Sequence, residues 1–468
     1  MFTYKINGVE YECEFKITSK SSGSGINLNE AAIRGMSIEE TLLMPYTSGN
    51  IYVVNADDWI EDDQQIRGDG RDSLTVRMKP IPGKGASDNV SFNYDFVITG
   101  ETNSQSNVDR TGNFKIYTLL QREWAALNEP IPYGKRYRGY TGDIINRIFK
   151  DHDIPLVDGY DRGDHFISVF PEHVLAPTSF RYSDLILYLL RIGYSKELTS
   201  GGETYVKSML YWDRVAGGYR LESMAKLWQS PDIIECVTPG DLVDKVQVNC
   251  NDPPPGPPVY GYIGPMHNSN LSTPMLRYSN EFIMNTLVEG YDPVIGEHGL
   301  REVRIGDLKP MWAEIFTRAF QYVWGPPQPW CVLNEAKQTE MFRTLSFPFD
   351  ISKALPLATS DMMANMTYYN MVQNIQTLGR TDRRPGKYMD VAVHRPYSEK
   401  EAARGRQSLV KDLNHRMDAK ALGTWQITRC RHKFFSTKVD SYQVEMELVK
   451  THLGPCPGAP PDCDVGGI

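Results

Sequence analysis

Catalysis and metal binding need acids, bases, nucleophiles or ligands brought within hydrogen-bond reach of one another. Along this chain such residues are sparsely spaced. His152, His165 and His173 share one segment, but their separations of 13 and 8 residues match no zinc pattern. They read as ordinary surface or core histidines. The run Asp57-Asp58-Trp59-Ile60-Glu61-Asp62-Asp63, with Asp69 and Asp72 beyond it, offers the hard oxygens that Ca²⁺ takes. It lacks the alternation and the closing bidentate Glu of a calcium loop, so a solvated connection between strands is expected. Arg67-Gly68-Asp69 is read as a Gly turn rather than an adhesion tripeptide. Cys456 and Cys463 bracket a Pro-Gly segment, and could form a late disulfide, half of a metal site, or two free thiols. The chain has no G-x-S-x-G elbow, H-E-x-x-H pair, phosphate loop or dinucleotide fingerprint. No catalytic, cofactor-binding or metal residue is assigned, no cofactor is expected, and the chain reads as a structural or interaction protein.

The elements that would position such residues follow from composition and pattern. At 468 residues the chain has room for about three folding units. With 41% hydrophobic and 23% charged residues it is an ordinary globular composition. No apolar run approaches the about 18 residues of a membrane helix. The opening MFTYKINGVEYECEF is already strand-like, and no signal peptide is expected in it. Seven scattered Cys suggest reduced thiols in a protein made in a cytoplasm. Charge is uneven. Residues 1–130 carry 12 basic and 19 acidic side chains, 12 − 19 = −7, whereas 380–438 carry 15 and 6, 15 − 6 = +9. The basic block is expected to be a protein-facing patch rather than a nucleic-acid face.

The expected fold class is mainly β with α+β inserts. Residues 1–120 form a first β domain. Val9, Tyr11, Cys13, Phe15 and Ile17 alternate with charged residues, the period of a half-buried strand, and Asn7-Gly8 before them suits a type I′ hairpin turn. Further strands are expected at Asn50–Asn55, Ser73–Met78, Ser91–Ile98 and Asn113–Leu120. Residues 121–235 read as an α+β insert. Thr141 is placed as the cap of a helix burying Ile144, Ile145, Ile148 and Phe149, and Ser183 as the cap of a second ending at Gly193. A hairpin is expected to join Tyr205–Arg214 to Gly218–Met224.

A strand at Leu242–Cys250 then meets Pro253–Pro258, where missing amide donors forbid a ladder. Residues 253–369 are a Pro-rich excursion without strong periodicity to about Gly306, followed by a helix from Asp307 to Val323. Residues 370–453, with 236–252, form a second β domain with strands at Asn370–Leu378, Lys387–His394, Gly423–Phe434 and Asp440–Lys450. Ser398 and Glu401 fit a capping box between them. Residues 454–468 are a Pro/Gly-rich tail.

Several of these segments resemble one family. Pro45-Tyr46-Thr47-Ser48-Gly49-Asn50-Ile51, then Ile66-Arg67-Gly68 and Ser73-Leu74-Thr75-Val76, is similar to the first tube-like barrel of contractile phage baseplate hub proteins. The helix Asp143–His152, the Tyr-Ser-Asp-Leu start of the next, and Tyr211-Trp212-Asp213 resemble the hub group that includes late control D proteins. Leu378-Gly379, Pro385-Gly386-Lys387-Tyr388-Met389-Asp390-Val391, Gly423-Thr424-Trp425-Gln426-Ile427 and Tyr442–Lys450 are similar to its second barrel. The resemblance covers about half of the chain in the family's order.

It implies two tube-like β-barrels per chain and a homotrimeric ring whose six barrels meet a sixfold tail tube. The implied partners are tail tube or tube-initiator proteins, the central spike protein, and tape measure and baseplate wedge proteins. DNA would pass through the lumen transiently, in a virion tail assembled in the bacterial cytoplasm. The negative total charge suits that passage, because phosphate contacts come from Lys and Arg. Two other classes stay open at this point: a tail-associated hydrolase, and a receptor- or carbohydrate-binding tail protein.

Overall fold

The computed structural model describes residues 2–6, 9–20, 23, 25–54, 66, 70–81, 90–105, 113–157, 166–168, 173–175, 180–199, 202–224, 227, 233–239, 261–263, 285–292, 297–303, 342–347, 364, 371–391, 423–435 and 442–450. The first β region contains β1 (Phe2–Ile6), β2 (Val9–Thr18), β3 (Gly25–Leu28), β4 (Ile33–Thr41), β5 (Ser48–Val54), β6 (Ser73–Pro80), β7 (Phe92–Gln105) and β8 (Asn113–Gln121). Ile6 lies opposite Val9, the register that a two-residue connection at Asn7-Gly8 demands. Tyr11, Cys13, Phe15 and Ile17 of β2 turn inward as the alternation requires. They meet Leu74, Val76 and Met78 of β6 and Phe92, Tyr94, Phe96 and Ile98 of β7 in one core.

Two strands have no expectation from the pattern. β4 is buried on both faces from Gly35 to Ile38, and a bulge between Ile33 and Gly35 breaks its period. β3 is four residues long, too short to declare a period. Gly49 has a clear task in β5, because a Cβ there would sit 2.3 Å from the Ser37 carbonyl oxygen of β4.

The insert follows as α1 (Arg122–Ala126), β9 (Arg136–Arg138), α2 (Thr141–Asp151), β10 (Phe166–Ser168), β11 (His173–Leu175), α3 (Tyr182–Ile192), β12 (Gly193–Thr199), β13 (Gly202–Val206), β14 (Ser208–Asp213) and β15 (Gly218–Ser223). The helices bury the expected stripes, but their caps differ. Tyr140, not Thr141, precedes α2, and Thr141 is its buried first residue. Arg181, not Ser183, precedes α3, and Asp184 accepts the Arg181 N–H at 3.0 Å. The Ser183 hydroxyl instead donates to Asn128 Oδ1 at 2.9 Å, a tertiary bond that outweighs the cap. Gly193 ends α3 with φ −84°, ψ 148°, passing straight into β12. The hairpin is β14 with β15, whereas Tyr205 lies in β13 and pairs with β12.

Beyond the insert come β16 (Ile233–Pro239), β17 (Gly261–Ile263), β18 (Asn285–Asp292), β19 (Glu297–Val303), β20 (Phe342–Phe347), β21 (Met371–Leu378), β22 (Tyr388–Val391), β23 (Gly423–Phe435) and β24 (Tyr442–Lys450). The excursion thus holds ordered strands: β18, β19 and β20 form a three-stranded sheet. Gly290 pairs with Gly299 there, and two glycines facing each other leave no apolar alternation to read. Leu242–Cys250, Pro253–Pro258, the helix Asp307–Val323, the Ser398–Glu401 box and 454–468 lie outside the described residues.

The two β regions share a 14-stranded sheet. Its path runs β1-β2-β6-β7-β8-β5-β4, crosses to β23, and continues β22-β16-β17-β21-β24, which pairs back onto β23. The second region therefore closes on itself as a ring of six strands. The crossing is the antiparallel β4–β23 ladder, from Gly35 with Phe435 to Thr41 with Arg429. Gly379, just after β21, is required by contact: a Cβ would lie 2.0 Å from the Tyr442 ring.

Candidate functional site

Where β4 meets β23, the chain buries a group of polar side chains contributed by all three regions. Glu40 stands on a buried position of β4 two residues after Ile38, and His432 on an inward position of β23 between Cys430 and Phe434. Arg214 follows β14 of the insert and reaches in from the side. Its Nε donates to Glu40 Oε1 at 2.8 Å, with the two side chains 1% and 5% exposed. Its remaining donors meet backbone carbonyls of both β regions: Ser91 at 3.2 Å, Thr381 at 2.8 Å and Arg383 at 3.3 Å. The guanidinium carbon lies 3.9 Å from the Phe92 ring centroid, a cation on an aromatic face.

The other side of Glu40 is closed by rings. The Tyr94 hydroxyl donates to Glu40 Oε1. Oε2 lies 3.4 Å from His432 Nε2, and His432 Nδ1 is 2.8 Å from the Tyr442 hydroxyl. Phe92 meets His432 edge-on at 4.7 Å, and Phe434 stacks on Tyr442 at 4.4 Å. Burial by itself would raise the Glu40 carboxyl, but Arg214 and His432 hold it down at about 2. Burial lowers His432, helped by Arg214 and Arg383 and opposed by Glu40, so the imidazole is neutral. The Tyr442 hydroxyl donates to the Arg380 carbonyl at 3.0 Å, so the Nδ1–Tyr442 contact leaves His432 Nε2 and Glu40 Oε2 facing each other without a hydrogen bond. Burial, then Glu40, pushes the Tyr94 hydroxyl well above its ordinary value.

A second, half-buried group extends the joint. Asp213 accepts from Arg220 Nε at 2.5 Å and lies 3.9 Å from Arg384 Nη1 of the second region. It also accepts from the N–H of Val215 at 3.0 Å, which shapes the turn into β15. Burial would raise its carboxyl, yet the Arg220 hydrogen bond and Arg384 leave it lowered.

With side chains no more than 5% exposed, the Glu40–Arg214–His432 group can meet no substrate. What it can do is bind the insert and both β regions into one body. Removing one member of such a group strands the others, at about 3–5 kcal/mol.

Of the residues singled out by spacing, His152, His173 and Asp72 fall within the described residues. His152 ends α2 and bonds the Ile148 carbonyl at 2.7 Å through Nδ1. His173 pairs with Arg138 in the β9–β11 ladder, and His165 lies outside the described residues, as do Asp57–Asp63, Arg67–Asp69, Cys456 and Cys463. Asp72 is buried and accepts the Lys20 N–H at 3.2 Å. Among the described residues no group of three or more His, Cys, Asp and Glu could hold a metal, and no helix is long and apolar enough to cross a membrane. Much of the described basic block is answered within the chain. Arg429 and Arg431 lie 3.0 and 4.0 Å from Glu39, Lys433 pairs with Glu445, and Arg380 with Asp382. The joint itself had one signal in the sequence: His432 stands between Cys430 and Phe434, where the period of β23 calls for an apolar residue.

No family model and no curated protein sequence matches the chain. Its described architecture is similar to that of solved tail proteins. One is a tail protein from Neisseria meningitidis MC58, 10% identical, with TM-score 0.47, covering 96% of this chain and 99% of that one. Another is a 43 kDa tail protein of prophage MuSo2 from Shewanella oneidensis, 8% identical, TM-score 0.44, covering 95% and 100%. A third is an E. coli component of the type VI secretion system with structural similarity to T4 bacteriophage tail proteins, 11% identical, TM-score 0.36, covering 92% and 77%.

Proposed function

We propose that this chain is a structural subunit of a contractile-tail baseplate hub, three copies of which form a ring between the tail tube and the central spike. The observation that carries the reading is the pairing of two β regions in one chain, one closed as a six-stranded ring and the other an arc fused to it through β4 and β23. Three such chains place six β units around one axis, so a threefold ring can meet a sixfold tube. The buried joint supports the role, because a tail under contraction loads every connection between its rings. The charge supports DNA passage: the net is −8, and the cations of β23 are spent on Glu39 and Glu445 rather than offered to phosphate. In this reading the chain is not an enzyme. Electron cryo-microscopy of the assembled tail tip tests it, with three copies expected between tube and spike. A different copy number, or a position on the tail fibres, would overturn it.

A further inference from the structure

One short segment of the insert presents aromatic and cationic side chains to solvent from a stiff frame. Lys135 N–H donates to the Pro132 carbonyl at 3.1 Å, and Gly134 takes φ +75°, which closes a tight turn. That turn holds Tyr133 91% exposed, and Tyr140, at the end of the segment, is 54% exposed. Between them β9 buries Tyr137 and turns Arg136 and Arg138 outward. Arg147 of α2 is exposed beside them, its Nη2 3.4 Å from the Arg138 carbonyl. The frame is anchored on both sides, by Ile131 N–H on the Phe180 carbonyl at 3.0 Å and by the β9–β11 ladder.

Exposed Tyr and Arg within eight residues of a framed segment have the composition of an interface centre. Residues 130–150 carry five basic and one acidic side chain, 5 − 1 = +4, so the rest of the chain carries −8 − 4 = −12. A cationic face cannot pack on itself across a twofold axis without repulsion, so its contact is with a different surface. Nucleic acid is the poorer fit. Asp143 lies beside Gly139, and Lys135 is already held by Tyr182 at 3.1 Å and Asp151 at 3.5 Å. A cationic patch open to the lumen would also retard DNA.

We propose that Tyr133, Arg136, Arg138 and Tyr140 receive the acidic surface of the next copy of this chain, head to tail around a ring. This rests on the hub reading above, for which it supplies one half of the contact between copies. The test is sedimentation of the full chain over a range of concentration and salt. Wild type is expected to self-associate, less so at high salt. Arg136→Glu combined with Arg138→Glu is expected to weaken association at least about tenfold, as is Tyr133→Ala, with unchanged melting. Lys20→Glu, exposed elsewhere, should match wild type. A wild type that stays monomeric throughout, or variants that associate as wild type does, would overturn the assignment while leaving the hub reading to be judged by the tail-tip image. Association lost in the variants, with an image showing no ring of this chain, would instead overturn the hub reading alone. Retention of a labelled single-stranded oligonucleotide by wild type but not by the variants, without self-association, would replace the second copy with nucleic acid.

Discussion

The two β regions solve the same packing problem with different interiors. The first lines β2, β6 and β7 with apolar side chains, from Tyr11 to Ile98, and its exposed charges include a pair on β6 and β7. There Arg77 makes a two-pronged bond to Asp95, 2.9 Å to each oxygen, with both side chains about one-third exposed. The second buries polar side chains among its strands: Gln373, Gln426, Thr428 and His432 are at most 1% exposed. An apolar arc needs only the hydrophobic period to hold together. Buried polar groups depend on partners from elsewhere in the chain: Glu40 lies 3.4 Å from His432, and Arg214 in turn pairs with Glu40. Arg214 ties the insert to both regions, through Glu40 and Ser91 of the first and Thr381 and Arg383 of the second.

The comparison breaks most visibly at the joint. Arg214→Ala should destabilise the protein by about 3–5 kcal/mol, because Glu40 is left buried without its cation. Denaturant unfolding followed by both fluorescence and circular dichroism checks this. A loss below about 1 kcal/mol would mean that water reaches the site. Acid should separate the regions next. His432 has its folded pKa held below the ordinary 6.5, so the unfolded chain binds a proton that the folded one declines. Stability should therefore be complete above pH 6.5 and fall as pH drops below it. Glu40, lowered from 4.5 to about 2, adds a second loss between those values. His432→Gln should remove the first decline and keep the second, and unchanged slopes in the variant would contradict the assignment. The smallest effect belongs to the exposed pair on the first region. A double-mutant cycle on Arg77→Ala and Asp95→Ala should give a coupling of only about 0.2–1 kcal/mol, reduced by salt. A coupling as large as that expected of the joint would erase the distinction between the two regions.

Much of the first region could be read from residue order. β2, β6 and β7 follow the period-two rule, and Asn7-Gly8 sits where the register demands a two-residue connection. The stripes of α2 and α3 were equally plain. Their caps were not, because Ser183 is taken by Asn128, a residue 55 positions away. β4 carried no legible period, since its middle is covered on both faces where two regions meet. The candidate joint was the least legible part. Glu40 and Arg214 are separated by 174 positions, and His432 stands farther still from Glu40 along the chain.

What the sequence determined by itself is therefore local. Apolar alternation and helical stripes set which segments become strands and helices, because each pattern is satisfied by neighbours a few residues away. Which strands pair across the chain, that the second region closes as a ring, and that a carboxylate, a guanidinium and an imidazole distant in sequence share one dry site were decided only by the tertiary structure. Burial is the physical reason. A carboxylate and a guanidinium far apart in sequence have no reason to pair in water, where their attraction is weak. Once the packed core excludes water around them, each can be charged only in the presence of the other.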